Sequence, residues 1–333
     1  MKVYFLITID TECDKGPKWV IKKPLEFRSI KEGIPETLTP LFERFELIPT
    51  YLLSPEVILN DQSVSILESL ERVELGTHLH GEFLEPFSDF DTNRTSTPQL
   101  FYEPDVEYQK LKNLTQLFES RFKYSPTSFR AGRWGLSIKT LGFLQELGYI
   151  VDSSISPFRT HYFDQNRYVN FWGTPLQPYH PSPNDYRREG KMKLLEVPAT
   201  LGNPSLMRLP HFILRQFNDK SKIHKKVLGK LGKSSKIIML RPYRSSAEEM
   251  IKISESYIKT FRRKSDTIFL NMMFHSNELV PGASPYVQTA ADLEKYLNSL
   301  KFLFDALKTK YGIIGSGLSE VGNVWSQGEK NQN

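Results

Sequence analysis

Short apolar runs rich in β-branched residues alternate with longer segments of helical periodicity along most of this chain. The apolar runs have the length of single strands, and the segments between them have the length of amphipathic helices. Alternation of this kind favours parallel strands, since each helix carries the chain back to the same end of the sheet. The pattern therefore predicts an α/β fold built on a parallel sheet or barrel.

The predicted elements follow directly from this alternation. The strands are VYFLITID, IPTYLLS, VELGTHLH, TSFR, YIVDSS, KLLEVPA, TIFLNMMFH and GIIGS. Helices are predicted over residues 35–46, 63–72, 106–122, 137–147 and 289–308. Two insertions are expected, near 156–190 and 204–245, and the first of them has only weak periodicity and is read as a long structured loop. We expect one domain over residues 1–320 and a polar tail over 321–333.

Composition places the chain among folded proteins with a substantial core. It has 333 residues, of which 39% are hydrophobic and 25% charged. The opening MKVYFLITIDTEC lacks the long apolar core of a signal peptide, and no later run has the length of a membrane span. We therefore expect a cytoplasmic protein. The single cysteine, Cys13, excludes internal disulfides and a cysteine-rich zinc site.

Basic residues are concentrated between positions 208 and 244, where eleven lysines and arginines face one acid, Asp219. Within this segment Ile223, Val227 and Leu231 have the spacing of one apolar helix stripe. Two interpretations remain open: peripheral contact with an anionic membrane, or a docked helix with a solvated lysine face. Nucleic acid is disfavoured, because no helix-turn-helix, zinc-finger or RNP-like pattern accompanies the charge.

Polar and charged residues recur at the carboxyl ends of the predicted strands. In chain order they are Asp10, Glu12, His78, His80, Arg130, Asp152 and His275. Active sites of parallel α/β barrels are built at this rim. One such residue is easily a cap or a surface charge, but the recurrence on successive strands favours an enzyme.

The spacing of four of these residues is typical of a metal site. Asp10 and Glu12 lie two residues apart, as do His78 and His80, and residues i and i+2 of a strand share a face. Carboxylate and imidazole are ligands of zinc and similar divalent ions. The alternative for each pair alone is structural: capping carboxylates after a strand, and unrelated histidines at a solvated strand end.

These residues resemble the motifs of the NodB-type polysaccharide deacetylases. Thr8-Ile9-Asp10-Thr11 resembles the family's first motif with its second aspartate replaced, and the resemblance implies that Asp10 is the base and Glu12 a metal ligand. In the second motif His78 matches the first histidine, whereas Glu82 stands where the family has the second. We prefer His80 as the remaining ligand and keep Glu82 as the alternative.

The later motifs extend the resemblance over about residues 3 to 315. The segment FRAGRW resembles the third motif, which implies that Arg130 holds the catalytic carboxylate and that Trp134 shapes the substrate groove, although core packing is the alternative for Trp134. Asp152-Ser-Ser is similar to the fourth motif and the strand ending in His275 to the fifth. By resemblance His275 is the general acid and Asp152 orients it.

The resemblance implies a distorted (β/α)7 barrel that hydrolyses an N-acetyl group of an amino sugar with a divalent metal, for which zinc is the expected ion. RAGRWG, DSS and FHSNEL are most similar to the branch that serves O-antigen and surface-polysaccharide synthesis. The substrate would be a glycan or its lipid- or nucleotide-linked precursor. Two alternatives remain: a catalytically silent carbohydrate-binding or scaffold protein on this fold, and an enzyme acting on a non-sugar carbon–nitrogen bond.

Overall fold

Parallel strands form the centre of the protein, which we describe from a computed structural model covering residues 1–88, 97–222, 226, 229, 230 and 236–330, without the side chains of 326–330. The strands of this sheet are β1 Lys2–Thr11, β2 Pro49–Leu53, β3 Glu74–Leu79, β4 Ser128–Ala131, β5 Val151–Asp152, β10 Leu195–Glu196, β13 Thr267–His275 and β14 Ile314–Gly315. Seven of them follow one another in the order β10-β5-β4-β3-β2-β1-β13, and β14 pairs with β1. The predicted parallel sheet is confirmed.

Helices connect the strands. They are α1 Thr39–Phe45, α2 Pro55–Leu59, α3 Asp61–Ser69, α4 Pro104–Phe122, α5 Ile138–Glu146, α6 His211–Leu214, α7 Ala247–Phe261, α8 Ala290–Tyr311 and α9 Val321–Lys330. A π-helical segment, Ser29–Leu38, leads into α1. Short 3₁₀ turns occur at Gly81–Phe83, Gln99–Phe101, Gly132–Trp134, Leu206–Arg208 and Ser276–Leu279.

Strand β1 is buried along most of its length, in keeping with its nearly continuous apolar sequence. It pairs in parallel with β13 from Lys2 opposite Thr267 to Asp10 opposite His275. On the other side, β2 pairs with β1 as far as Thr11. This register brings Asp10 and His275, which are 265 positions apart in sequence, to the same level of one sheet edge.

Asn271 bridges a seam in the barrel. The strand order ends at β10 on one side and at β13 on the other. Asn271 on β13 accepts a hydrogen bond from Thr8 and donates to Ser153 and to the Val197 carbonyl. Its backbone carbonyl also accepts from the Thr200 amide at 2.8 Å. Hydrogen bonds of the Asn271 side chain, together with this backbone bond, thus join the two edges where the strand ladder ends.

The first insertion forms small antiparallel hairpins. Strands β6 Thr160–Tyr162 and β7 Tyr168–Asn170 pair with each other, as do β8 Pro181–Ser182 and β9 Asp185–Glu189. In the second insertion β12 Ile238–Met239 returns to pair with β11 Leu201–Gly202. The apolar stripe predicted through positions 223, 227 and 231 lies outside the described residues.

The helical segments differ from the sequence prediction both in their starts and in their number. The first helical segment begins at Ser29, not at position 35, because the Asp14 carboxylate accepts from the amides of Arg28 and Ser29 at its start. Helix α7 was not predicted, although Ser246 and Glu249 form a capping box at its start.

The polar tail predicted from residue 321 is wrong for its first residues, because Val321 is fully buried and Trp325 packs against the same small cluster. Among the helices of the described residues, none has the length and apolar character needed to cross a membrane.

Candidate metal centre and active site

A pocket of about 270 Å³ opens at the carboxyl ends of the strands. Its lining includes six residues singled out from the sequence: Asp10, Glu12, His78, His80, Trp134 and His275. Arg130 and Asp152, the other two, are fully buried near this end of the sheet. Parallel pairing brings these residues together, since every strand of the sheet ends at the same rim.

Glu12, His78 and His80 form a buried group whose ligand atoms lie within 4.8 Å of one another. One carboxylate oxygen, Glu12 Oε1, lies 3.2 Å from His78 Nε2 and 2.8 Å from His80 Nε2. One oxygen and two imidazole nitrogens are a donor set that suits zinc and related divalent ions. This group could therefore hold a metal ion.

The outer nitrogens of both histidines have partners of their own. His78 Nδ1 donates to the Arg130 carbonyl at 2.9 Å, so its Nε2 is free of a proton in the neutral ring. His80 Nδ1 lies 3.2 Å from Glu82 Oε1. Partners of this kind orient metal-ligating histidines. Glu82 thus stands behind His80, and Arg133 pairs with Glu82 from the other side.

Lys15 is a rim residue that sequence reasoning missed. Its ammonium group forms an ion pair with Glu12 Oε2, the oxygen that does not face the histidines. Burial alone would raise the pKa of Glu12, but Lys15 and the two histidines outweigh burial and hold that pKa well below its ordinary value. Glu12 is therefore ionised, as a metal ligand must be.

Asp10 lines the pocket and is held there by Arg130. Arg130 Nη1 donates to Asp10 Oδ1 at 2.7 Å, and the remaining guanidinium groups donate to Thr8 and to Ser153. Burial raises the pKa of Asp10, but Arg130, His78 and His275 together outweigh it, so the pKa lies below its ordinary value. The pairing of Arg130 with Asp10 was expected from the resemblance.

His275 faces Asp10 across the pocket, with Nε2 3.7 Å from Asp10 Oδ2. Its other nitrogen, Nδ1, lies 2.8 Å from Arg241 Nη2 and 3.2 Å from Glu278 Oε1. Arg241 can only donate, so in the neutral ring Nδ1 accepts its hydrogen bond and the proton lies on Nε2. In the protonated ring both nitrogens carry a proton, and Nδ1 donates to Glu278. In both states Nε2 presents a proton to the pocket.

The expected contact between Asp152 and His275 is wrong. Asp152 accepts hydrogen bonds from the Ser154 hydroxyl and amide and lies against the carboxyl group of Glu196. Burial raises the pKa of both acids, and the neighbouring Asp152 carboxyl raises that of Glu196 further. The residues that position His275 are Glu278 and Arg241.

Arg241 also corrects the interpretation of the basic segment 208–244. Its side chain is buried and forms an ion pair with Glu278, whose other oxygen accepts from Tyr296 at 3.2 Å. Arg241 is therefore a buried partner of His275 and not a surface cation. In the sequence, Glu278 at three residues after His275 was the available signal, whereas nothing local identified Arg241.

Two tryptophans border the pocket. Trp134 stacks on His161 at 5.7 Å between ring centroids and lies over the Arg130 guanidinium. Trp134 and its neighbour Arg133 both have left-handed backbone conformations, with φ of 59° and 55°. Trp19, which sequence reasoning missed, contacts the His275 ring at 5.3 Å. Trp134 is thus a pocket wall as well as a packed side chain.

Four carboxylates at the pocket end of the sheet each have a cation of their own. The pairs are Asp10 with Arg130, Glu12 with Lys15, Glu82 with Arg133, and Glu278 with Arg241. Buried charges are tolerated when they are paired in this way. The pocket can therefore hold several ionised groups within a few ångströms of each other.

Comparison with known proteins gives a fold but no close relative. No family model matches the chain, and no curated protein matches it. A Mycobacterium smegmatis protein proposed to be a polysaccharide deacetylase has a TM-score of 0.51 at 13% identity, over 97% of this chain and 91% of its own. A Parabacteroides distasonis protein proposed to be a glycoside hydrolase/deacetylase has a TM-score of 0.59 at 10% identity, over 98% and 71%. The allantoinase Puue has a TM-score of 0.50 at 11% identity, over 98% and 90%.

These neighbours confirm the predicted (β/α)7 fold of the NodB type, an open barrel of parallel strands surrounded by helices. At identities of 10% to 13% the likeness extends to the fold alone. Proteins described by different reactions share this fold, so the reaction of this chain has to be argued from its own site.

Proposed function

We propose that this protein is a metal-dependent hydrolase that removes the N-acetyl group of an amino sugar. One observation carries the proposal: the metal-binding group Glu12/His78/His80 shares a single pocket with a carboxylate, Asp10, and an imidazole, His275, that face each other. Hydrolysis of an amide needs a base for the attacking water and an acid for the departing amine. This pocket offers both.

Glu12, His78 and His80 would hold the ion, and the donor set fits it because both histidines have outer partners that direct Nε2 inward. The chemistry that a divalent ion would supply at these residues is polarisation of the acetyl carbonyl and a lower pKa for a water molecule. Lys15 would keep the second oxygen of Glu12 occupied, which favours binding through Oε1 alone.

Asp10 acts as the base in this proposal. It is ionised near neutral pH because Arg130 and neighbouring histidines lower its pKa, and it takes the proton of the attacking water. The water oxygen forms a bond to the acetyl carbon. As the bond from that carbon to nitrogen breaks, His275 delivers the Nε2 proton to the amine, and acetate leaves. Glu278 and Arg241 hold the His275 ring during this transfer.

The sugar assignment is supported by the motifs and by the walls of the pocket. Trp134 and Trp19 offer aromatic surfaces at its rim, while Arg133 and Lys15 supply polar groups. The sequence resemblance favours a surface glycan, or a lipid- or nucleotide-linked precursor, as the substrate. Zinc is the ion that we expect in the site.

A catalytically silent carbohydrate-binding protein is the second candidate. Thr11 stands where the family has a second aspartate, and its hydroxyl bonds to the Ile9 carbonyl instead of facing the pocket groups. The position of Glu12 argues against this candidate. Its carboxylate lies at the two histidines and there offers a ligand oxygen in place of the missing second aspartate of the first motif.

The test is acetate release by the zinc-loaded protein from a panel of N-acetylated mono- and oligosaccharides and sugar nucleotides, with allantoin and small acetamides beside them. We expect release from one or more sugars, loss of release in chelator, and recovery when zinc returns. Glycan binding without release of acetate would favour the silent candidate. Hydrolysis confined to allantoin or simple amides would favour an enzyme acting on a non-sugar carbon–nitrogen bond.

A further inference from the structure

We propose that one face of the protein docks onto an anionic lipid surface. We call it the basic face and define it by Arg187, Arg188, Arg208, Phe212, Ile213, Lys220 and Lys222. Its members come from strand β9 and from the segment that contains helix α6. The proposal concerns where the protein works and does not depend on the reaction proposed above.

Two neighbouring apolar side chains project from the basic face. Phe212 is 64% exposed and Ile213 is 38% exposed, whereas the next residue of α6, Leu214, is buried in the core. Helix α6 is thus fixed to the protein through Leu214 and turns two large hydrophobic groups to the outside. Single exposed apolar residues are ordinary on protein surfaces, but an adjacent pair among cations is typical of interfacial segments.

Cations surround this pair along the chain. Arg208, Lys220 and Lys222 are all exposed. The acid of residues 206–222 is Asp219, and its carboxylate is engaged elsewhere, because it accepts from the Thr160 amide at 3.0 Å and from Trp172 Nε1 at 2.7 Å. The segment therefore presents an excess of positive charge beside its apolar groups.

The fold adds further cations that the linear sequence does not place there. Arg215 Nη1 donates to the Arg187 carbonyl at 3.0 Å, which fixes strand β9 beside the segment that follows α6. Arg187 and Arg188 share a single acid, Asp185, with N–O distances of 3.1 and 3.4 Å. Three arginines thus gather around one carboxylate at this corner.

The basic face belongs to insertions that leave the sheet at the pocket end. Strands β6 to β9 follow the carboxyl end of β5, and α6 follows that of β10. The second insertion returns through β12 to Arg241, which contacts His275. Docking through this face would bring the rim of the pocket towards the lipid surface.

The combination of charge and apolar side chains favours lipid over other polyanions. Anionic headgroups attract lysine and arginine, and hydrophobic side chains gain additional free energy only where they can enter the acyl boundary. Nucleic-acid backbones satisfy the cations but leave Phe212 and Ile213 in water. An anionic membrane uses both parts of the basic face.

The test is co-sedimentation of the full-length protein with vesicles of phosphatidylcholine alone and of phosphatidylcholine containing phosphatidylglycerol. We expect binding to the anionic vesicles that weakens as salt is raised, and little binding to the neutral ones. Phe212→Ser with Ile213→Ser should weaken binding at every salt concentration. Lys220→Gln with Lys222→Gln should weaken it by about fivefold per lysine at low salt and less at high salt.

Phe302→Ser provides the matched control, because Phe302 is 53% exposed on helix α8, outside the basic face. Unchanged thermal melting of each variant shows that the fold is intact. Equal binding to both vesicle types, or anionic binding that neither double variant weakens, would overturn the proposal. The proposal would also be overturned if the protein bound an RNA or DNA duplex but not vesicles, and if the double lysine variant lost that nucleic-acid binding.

Discussion

At the scale of single residues, Asp10 should decide the rate of the proposed reaction. Asp10→Asn keeps a hydrogen-bond acceptor for Arg130 but removes the base, so we expect turnover to fall by roughly 10²- to 10⁴-fold. Zinc content should be unchanged, because Glu12, His78 and His80 remain. Since the pKa of Asp10 lies below its ordinary 3.8, any acid limb that this residue sets should fall below that pH.

Initial rates and metal content of the same preparation test this prediction. Asn166→Ala, at an exposed position of the first insertion, serves as the control and should leave both unchanged. Full activity of Asp10→Asn would assign the base to another group.

Metal binding by two variants should show whether His80 or Glu82 is the ligand. His80→Ala removes a nitrogen of the ligand group, and we expect tightly bound zinc to be lost. Glu82→Gln removes only the charge behind His80, so zinc should remain bound with affinity reduced by roughly 10- to 100-fold. Competition with a zinc-sensitive dye measures both, and His211→Ala, at an exposed histidine, controls for loss of a histidine as such. The reverse order of effects would make Glu82 the ligand.

Glu278, and not Asp152, should support proton donation by the proposed general acid, His275. Glu278→Gln weakens the support of the protonated His275 ring, so turnover of an N-acetyl sugar should fall by roughly 10²-fold. An activated acetyl ester needs no proton on its leaving group and should be spared. Asp152→Asn has no contact with His275 to lose and should show no such preference between the two substrates. If only Asp152→Asn lost turnover of the sugar while keeping turnover of the ester, Asp152 would be the residue that supports His275, as the sequence resemblance implied.

At the scale of elements, helices α4 and α5 carry a buried carboxyl group that should make stability depend on pH. Burial raises the pKa of Glu107 on α4 from 4.5 to about 7, although a hydrogen bond from Thr140 on α5 opposes the rise. A carboxyl group whose pKa is raised on folding stabilises the protein below pH 4.5 and loses that contribution as pH rises through 7. The loss amounts to about 3 kcal/mol at most.

Glu107→Gln should remove this loss, because the amide does not titrate. Denaturant melts at pH 5 and pH 8 should show the wild type losing more free energy of unfolding than the variant. Glu146→Gln, at an exposed position of α5, should behave as the wild type does. An identical pH dependence in wild type and Glu107→Gln would show that Glu107 titrates normally.

Helices and strands were predicted well where the sequence within the element itself carries a strong pattern. β1 and β13 were predicted closely because both are long apolar runs that end in polar groups. The start of the first helical segment at Ser29 was not, because its cap is Asp14, a residue that lies far from it in sequence. The hairpins β6 to β9 were missed for a related reason: strands of two to five residues carry too little periodicity to be recognised.

Residues of the candidate site could be predicted where they lie at the end of a sheet strand. They could not be predicted where they lie in an insertion. Asp10, His78 and His275 lie at the carboxyl ends of central strands, so the rim argument brought them to the pocket that they line. Arg241 reaches His275 from the end of an insertion, through the pairing of β12 with β11. No sequence pattern at Arg241 distinguishes this arginine from the surface cations that precede it.

At the scale of the whole molecule, the seam at Asn271 should limit stability. Asn271→Ala would leave Ser153 and the Val197 carbonyl without their amide partner in a buried place, and we expect the free energy of unfolding to fall by roughly 2 to 4 kcal/mol. Hydrogen exchange should accelerate first at the Thr200 amide, which bonds across the seam. Asn166→Ala is the matched control. A loss of stability without faster exchange at the seam would place the effect elsewhere.

The left-handed backbone at Arg133 and Trp134 has a consequence for engineering. Each non-glycine residue in that conformation costs about 1 to 2 kcal/mol relative to the right-handed form, a penalty that glycine escapes. A selection scheme that scores only heat resistance would therefore enrich Arg133→Gly, and with it lose the cation that pairs with Glu82 behind His80. Thermostabilised libraries of this protein should accordingly be screened for divalent-metal binding before melting temperature.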